Sequence, residues 1–98
     1  MTPAQPVTFR QKLRSTAVEE GSTVSLRCEL SKAGGATAVE WRRGETTLHS
    51  GDKYHMKQRD IVVEMKIVDA TLADSGLYSC ICGYQKTTAT VTVNSKSD

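Results

Sequence analysis

Residues 74–80, with the sequence DSGLYSC, decide the fold of this 98-residue chain. Cys28 precedes Cys80 by 52 residues, and the chain's only tryptophan, Trp41, lies between the two cysteines. A cysteine, a tryptophan and a Tyr-x-Cys motif in this order are typical of two β-sheets packed face to face around one core. The segment therefore predicts an architecture before any other part of the chain is considered.

Short stretches of alternating apolar and polar residues surround this segment. The clearest place apolar residues at every second position: Val24, Leu26, Cys28 and Leu30 in one stretch, and Val63, Met65 and Ile67 in another. Period-two alternation separated by turn residues indicates half-buried strands, and no helical period extends over about ten residues. The chain is predicted to be an all-β, two-sheet antiparallel sandwich with Greek-key topology and roughly seven to nine strands.

Two connections in this sandwich have residues with expected roles. Residues 70–75 are expected to cross between the sheets, with Leu72 filling the core beneath the crossing. Residues 83–86 are expected to form a tight hairpin tip that exposes Tyr84. An exposed aromatic side chain can anchor a protein contact, although a lone one is also common on surfaces.

Length and charge restrict the domain count and the partners. We expect one domain over residues 7–94, with a tail at 1–6 and a linker at 95–98. A net charge of +2 is too small to predict nucleic-acid binding. No apolar run reaches the roughly 18 residues that a membrane span requires. Neither nucleic acid nor membrane is therefore an expected partner.

The cysteine count favours a reducing compartment. Three cysteines are an odd number, whereas secreted domains usually carry an even one. The single asparagine, Asn94, is followed by Ser-Lys and forms no glycosylation sequon. A cytoplasmic location is therefore expected, where thiols stay reduced.

No motif in the chain predicts catalysis or a cofactor. Gly-x-Ser-x-Gly and phosphate-cradling glycine loops are absent from the sequence. Cys80 and Cys82 are separated by one residue, and His49 and His55 lie far away in sequence, which matches no tetrahedral zinc spacing. We expect no catalytic residue, no metal site and no cofactor.

The motifs resemble those of a known domain family. Trp41, the 74–80 segment and residues 88–93 (TATVTV) resemble an intermediate-set, or I-set, immunoglobulin domain. Residues 39–44 (VEWRRG), 51–54 (GDKY) and 78–83 (YSCICG) resemble the tandem domains of obscurin and obscurin-like proteins of the muscle cytoskeleton. The resemblance implies a sarcomeric scaffold module, and partners of that family include titin, myomesin, myosin-binding protein C and small ankyrins.

The resemblance also implies structural roles for several residues. Cys28 and Cys80 are expected to face each other beside Trp41, with reduced thiols favoured over a disulfide. Tyr78 is expected to form a tyrosine corner with the preceding crossing. In related domains Asp74 pairs with a basic residue, for which Lys53 is the candidate and Arg59 the alternative. Cys82 is interpreted as a core residue, with a second disulfide partner for Cys28 or a redox switch as alternatives.

A row of basic residues is the most suggestive surface feature. Lys53, His55, Lys57 and Arg59 occur at period two, so their side chains are expected on one sheet face. Arg27 and Lys66 would extend the positive charge, while Glu29 and Glu64 would partly neutralise it. The row predicts either a docking face for an acidic partner or a solvated face that discourages edge pairing.

Together these features predict a non-enzymatic protein-interaction and spacer module. Its expected partner is another immunoglobulin or fibronectin-type domain of a sarcomeric protein, and the isolated domain is expected to be monomeric. An extracellular adhesion or receptor domain is one alternative, and a purely mechanical spacer without a ligand is another.

Overall fold

Nine β-strands build the part of the chain that the computed structural model describes, residues 8–31, 39–82 and 85–96. A single 3-10 turn, Leu72–Asp74, lies between the seventh and eighth strands of this part. The strands are β1 (Phe9–Gln11), β2 (Thr16–Glu19), β3 (Val24–Leu30), β4 (Val39–Arg43), β5 (Thr46–Thr47), β6 (Tyr54–Arg59), β7 (Val62–Ile67), β8 (Gly76–Cys82) and β9 (Gln85–Asn94).

The strands form two sheets, and the chain passes between the sheets several times. One sheet has the order β1-β3-β7-β6, and the other has the order β2-β9-β8-β4-β5. Because β3 and β4, β5 and β6, and β7 and β8 belong to different sheets, the connections follow the Greek-key scheme. The predicted all-β immunoglobulin-like sandwich is confirmed. None of the helices in the described ranges is long and apolar enough to cross a membrane.

One strand pair is an exception to the antiparallel pairing of the others. β2 runs parallel to β9, with Thr16 opposite Val91 and Glu19 opposite Asn94. The chain leaves β1 after Gln11 and joins the other sheet at β2. Leu13 is buried at this switch, and its N–H donates to Thr87 Oγ1 at 3.1 Å. A lone buried leucine gives no alternating pattern from which a second strand could be predicted.

The core lies between the sheets and is built from the inward positions of the alternating strands. Trp41 is 3% exposed, and Cys28 and Cys80 are fully buried. Trp41 lies directly opposite Cys80 in the β4–β8 pair, while Cys28 comes from β3 in the other sheet. Burial of apolar side chains from both sheets is the main force that holds them together.

The crossing between β7 and β8 does not bury Leu72, which is 48% exposed. The prediction that Leu72 fills the core is therefore wrong. Ala70 is buried before the turn, and the inward position of the turn is taken by Asp74. The Asp74 carboxylate accepts a hydrogen bond from the Thr71 N–H at 2.8 Å, and this geometry leaves Leu72 on the solvent side.

The hairpin between β8 and β9 differs from its predicted limits. Gln85 and Lys86 are part of β9, where they pair with Cys82 and Ile81, instead of forming the tip. Gly83 and Tyr84 lie outside the described residues, so a contact through Tyr84 stays a prediction.

The Tyr78 side chain ties β8 to the crossing that precedes it. Its hydroxyl donates to the Asp74 backbone oxygen at 2.7 Å inside the core. Burial raises the pKa of Tyr78 to about 12, so the hydroxyl keeps its proton throughout the neutral range. This bond is the geometry of a tyrosine corner.

Replacing Tyr78 by phenylalanine is expected to lower the free energy of unfolding by about 1–1.5 kcal/mol, because the ring stays and only the donor is lost. Urea unfolding followed by the fluorescence of Trp41 measures the change. A loss smaller than the ~0.5 kcal/mol of a neutral surface substitution would contradict a stabilising role for this bond.

Candidate protein-interaction surface

The predicted basic row lies at the edge of the four-stranded sheet. His55, Lys57 and Arg59 are exposed and alternate along β6 with Tyr54 and Met56, which are half-buried against the core. Among the described strands, β6 is the last of its sheet, so one of its two long sides has no neighbouring strand there. We call His55, Lys57 and Arg59 the basic row.

Lys53 does not belong to this row. It precedes β6, and its ammonium group turns back to the crossing, where Nζ lies 2.7 Å from Asp74 Oδ2 and 3.0 Å from the Asp69 backbone oxygen. The expected pairing of Lys53 with Asp74 is confirmed, and the expected docking role of Lys53 is replaced by this structural one. Arg59, the alternative partner of Asp74, remains on the surface.

Asp74 is a buried carboxylate whose charge is compensated from several sides. Its side chain is 7% exposed and accepts hydrogen bonds from Lys53 and from the Thr71 N–H. The Arg43 guanidinium lies 3.9 Å away and also donates to the Ser75 and Ala73 backbone oxygens. Burial by itself raises the pKa of Asp74, but the bonds from Lys53 and Thr71 outweigh it and hold that pKa below its ordinary value of 3.8.

The other charges on the outer face of this sheet are largely paired among themselves. Arg27 Nη2 lies 3.3 Å from Glu29 Oε2 on β3, and Lys66 Nζ lies 4.0 Å from Glu64 Oε1 on β7. Within the described ranges, no salt bridge reaches His55, Lys57 or Arg59. The uncompensated positive charge of this face is therefore concentrated on β6.

Two shallow depressions flank the basic row on the outer face. One, of about 310 Å³, runs between β6 and β7, and a second, of about 210 Å³, extends it towards Arg59. Lys57 and Glu64 line both. Open, charged depressions of this kind suit contacts with acidic side chains of a protein better than an enclosed small molecule.

A lateral cleft opens on the other side of β6, between the two sheets. Val39, Trp41, Leu48 and Met56 line its larger part, of about 420 Å³. A narrower part, of about 140 Å³, brings Gln58 of β6 into the same cleft. The cleft was not predicted, because it is lined by residues of both sheets that lie far apart in sequence. The only sequence signal was a methionine at an inward position of an edge strand.

The three cysteines form a buried cluster in the core. Cys28 Sγ and Cys80 Sγ lie 3.6 Å apart, and Cys82 is 1% exposed. The thiol contact with Cys28, together with burial, raises the pKa of Cys80, and burial raises the pKa of Cys82. Protonated, shielded thiols are poor nucleophiles. A redox switch would need an exposed thiolate, which neither Cys80 nor Cys82 provides.

The geometry of the described surface offers charge and shape for binding. Among the residues that the structure describes, no group of three or more His, Cys, Asp or Glu side chains is arranged to hold a metal ion. The features that remain for function are the basic row and the lateral cleft, which border opposite sides of one edge strand.

Comparison with known proteins assigns the family. The chain belongs to the immunoglobulin I-set domain family, whose model matches residues 7–94. Domains with this fold are typically non-enzymatic structural modules.

Curated relatives include proteins of muscle and of membranes. Titin from Drosophila melanogaster is 32% identical over 71 residues, or 72% of this chain. Smooth-muscle myosin light chain kinase from Gallus gallus is 27% identical over 75 residues, or 76% of the chain. The membrane-bound isoform of pro-neuregulin-1 from Xenopus laevis is 28% identical over 91 residues, or 86% of the chain. The chain spans 13% of the neuregulin precursor, 4% of the kinase and, to the nearest whole per cent, 0% of titin.

Solved titin domains share the fold. Domain I10 superposes with a TM-score of 0.85 at 21% identity, covering 92% of this chain and 100% of I10. A chain from the complex of titin M10 with an obscurin-like 1 immunoglobulin domain gives 0.86 at 21% identity, covering 95% and 98%. A chain from the complex of titin z1z2 with telethonin gives 0.81 at 24% identity, covering 95% and 49%.

Replacing Lys53 by methionine is expected to destabilise the domain by about 1–2 kcal/mol at neutral pH, because the buried Asp74 carboxylate loses a charged donor that is itself half-exposed. Thermal or urea unfolding measures the change. Lys57→Met is the matched control on the same surface, with an expected change within about 0.5 kcal/mol.

The effect of Lys53→Met should depend on pH in one direction. A lowered pKa means that Asp74 contributes stability above its ordinary value of 3.8 and loses that contribution as pH falls through the lower folded value. The stability gap between the wild type and Lys53→Met should therefore shrink in strong acid. A gap that stays constant from neutral pH into strong acid would contradict the assigned ion pair.

Proposed function

We propose that this domain is a non-enzymatic protein-interaction and spacer module of a giant cytoplasmic scaffold in striated muscle, of the obscurin type. The observation that carries the proposal is the basic row, in which Lys57 and Arg59 form no salt bridge among the described residues, whereas Arg27 and Lys66 on the neighbouring strands each lie beside a carboxylate of their own strand. Exposed charge without a salt bridge in the domain is available to a partner.

The relatives support the muscle assignment. Titin and smooth-muscle myosin light chain kinase are among the proteins that the chain matches. Titin domains of the same fold occur in complexes with an obscurin-like 1 immunoglobulin domain and with telethonin. The obscurin type is favoured by the motifs at residues 39–44, 51–54 and 78–83.

The mechanism follows from the rigidity of the sandwich. Packing between the sheets holds β6 in place, so His55, Lys57 and Arg59 keep a spacing of two residues along one line. A partner immunoglobulin or fibronectin-type domain with acidic side chains at a matching spacing would be attracted before contact and oriented on docking. Because exposed charges are screened by salt, binding should weaken as ionic strength rises.

Binding to purified immunoglobulin and fibronectin-type domains of titin, myomesin and myosin-binding protein C tests the proposal by calorimetry. For a domain that binds, Lys57→Glu with Arg59→Glu is expected to weaken the affinity at least about tenfold and to reduce its salt dependence. The matched control reverses two distant charges, Lys86→Glu and Lys96→Glu, and should leave the affinity within about twofold.

Two results would overturn this function. If no member of the panel binds, the domain is a mechanical spacer without a ligand. If both double variants lower the affinity equally, the partner senses only net charge and the basic row is not a docking site.

An extracellular adhesion or receptor module is the second candidate function. It is favoured by the match to membrane-bound pro-neuregulin-1 over 86% of the chain. The 3.6 Å separation of Cys28 Sγ and Cys80 Sγ across the two sheets also suits a disulfide in an oxidising compartment.

Thiol titration separates the two candidates when the protein is isolated from its natural source and then unfolded. The cytoplasmic scaffold predicts three reactive thiols, since Cys28, Cys80 and Cys82 would all be reduced. A single reactive thiol would favour the extracellular module, because Cys28 and Cys80 would then be joined. Alkylation of the unfolded protein directly after lysis prevents oxidation during handling, and the number of attached labels then counts the reactive thiols. A sample reduced beforehand is the control for complete labelling.

A further inference from the structure

We infer that the free edge of β6 accepts an extended strand from a partner protein, in which acidic residues alternate with apolar ones. The inference deepens the proposed function and rests on it, since it uses the same basic row and adds how a partner would bind there. Strand addition to an exposed sheet edge supplies backbone hydrogen bonds for affinity and alternate side-chain contacts for specificity.

The backbone of β6 has open hydrogen-bonding groups on its free side. The Lys53 backbone oxygen accepts a hydrogen bond from the Val68 N–H at 2.9 Å, so these two residues form a hydrogen-bonded pair. Because such pairs alternate with non-bonded pairs in an antiparallel ladder, His55, Lys57 and Arg59 are the next β6 residues that bond to β7. The N–H and C=O groups of Met56 and Gln58 therefore point away from β7. No backbone bond to Met56 or Gln58 from a turn or loop is present in the described ranges. These groups are free to pair with an incoming strand.

The lateral cleft determines which side chains the inward face of the added strand should carry. An added strand would lie ~4.8 Å from β6 and continue the sheet over the opening of the cleft. Its inward side chains would then face Met56 and Leu48, which are packed against the core but half-exposed. Apolar side chains at these positions would remove that apolar surface from water, which is favourable.

The basic row determines which side chains the outward face of the added strand should carry. Outward side chains of the added strand would stand beside His55, Lys57 and Arg59, at the ~5 Å separation of cross-strand neighbours. Carboxylates at every second position would match the three basic side chains. A segment of about six residues, ~20 Å long, would cover the whole of β6.

The same charges disfavour a second copy of this chain as the occupant. A symmetric antiparallel pairing of two β6 edges would place Lys57 opposite Lys57 and His55 opposite Arg59. Like charges directly opposite each other destabilise a sheet, and basic residues on edge strands commonly prevent self-association. The edge is therefore selective for an acidic partner strand.

The test uses a synthetic peptide of alternating valine and glutamate, seven residues long, titrated against the intact domain. Gln58→Pro removes an N–H on the free side of β6 and leaves the bonds to β7 in place, whereas Gln58→Ala keeps that N–H. We expect Gln58→Pro to weaken peptide binding at least tenfold and Gln58→Ala to change it less than twofold. Binding should also slow amide hydrogen exchange at Met56 and Gln58.

Two peptide controls make the result independent of the folding of the proline variant. A peptide of the same composition without strict alternation should bind at least tenfold more weakly. N-methylation of one alternate set of peptide amides should abolish binding, whereas methylation of the other set should not, since only one set can face β6.

The outcomes separate this inference from the function on which it rests. If Gln58→Pro binds the peptide like Gln58→Ala and exchange at Met56 and Gln58 is unchanged, strand addition is wrong. Sensitivity of a protein partner to Lys57→Glu with Arg59→Glu would then still support docking on the face. If the free domain forms a dimer that Gln58→Pro disrupts, the occupant is a second copy and the inference is overturned.

Discussion

The buried carboxylate of Asp74 is the constraint on which this structure depends. A carboxylate can be buried only if hydrogen bonds and opposite charge replace its water. Thr71 and Lys53 supply them, and Arg43 stands nearby while binding the backbone on either side. The same turn presents its backbone oxygen to the Tyr78 hydroxyl. The turn that holds this charged group therefore fixes the crossing between the sheets, the start of β8 and the direction of the Lys53 side chain.

This constraint also explains what the sequence could and could not predict. Period-two patterns identified β3 and β7 and placed Cys28 in the core, and the resemblance to immunoglobulin domains placed Trp41 and Cys80 beside it. The same spacing placed Lys53 in the basic row, and that prediction was wrong. The direction of a long flexible side chain depends on a partner 21 residues away in sequence, which periodicity does not describe. Leu72 failed for a related reason, since an acidic residue took the inward position.

The candidate surface shows a similar division. The basic character of β6 could be predicted from the sequence, because three basic side chains alternate along it. Which charges remain unpaired could not, since Arg27 and Lys66 are neutralised by carboxylates on their own strands. The lateral cleft was beyond prediction, because strands of two different sheets contribute its lining residues. The proposed function thus depends on pairings between strands more than on any motif within one strand.

The brevity of β5 has a consequence for how such a domain could gain or lose a partner. The hairpin that joins β4 to β5 turns at Gly44, which has a positive φ of 59°, and only two residues follow in the strand. A longer hairpin would extend over the cleft and screen the open side of β6. Insertions in surface loops are tolerated with little loss of stability. During evolution, a change in the length of this hairpin could therefore cover or expose the proposed binding edge without altering the core or any charged residue.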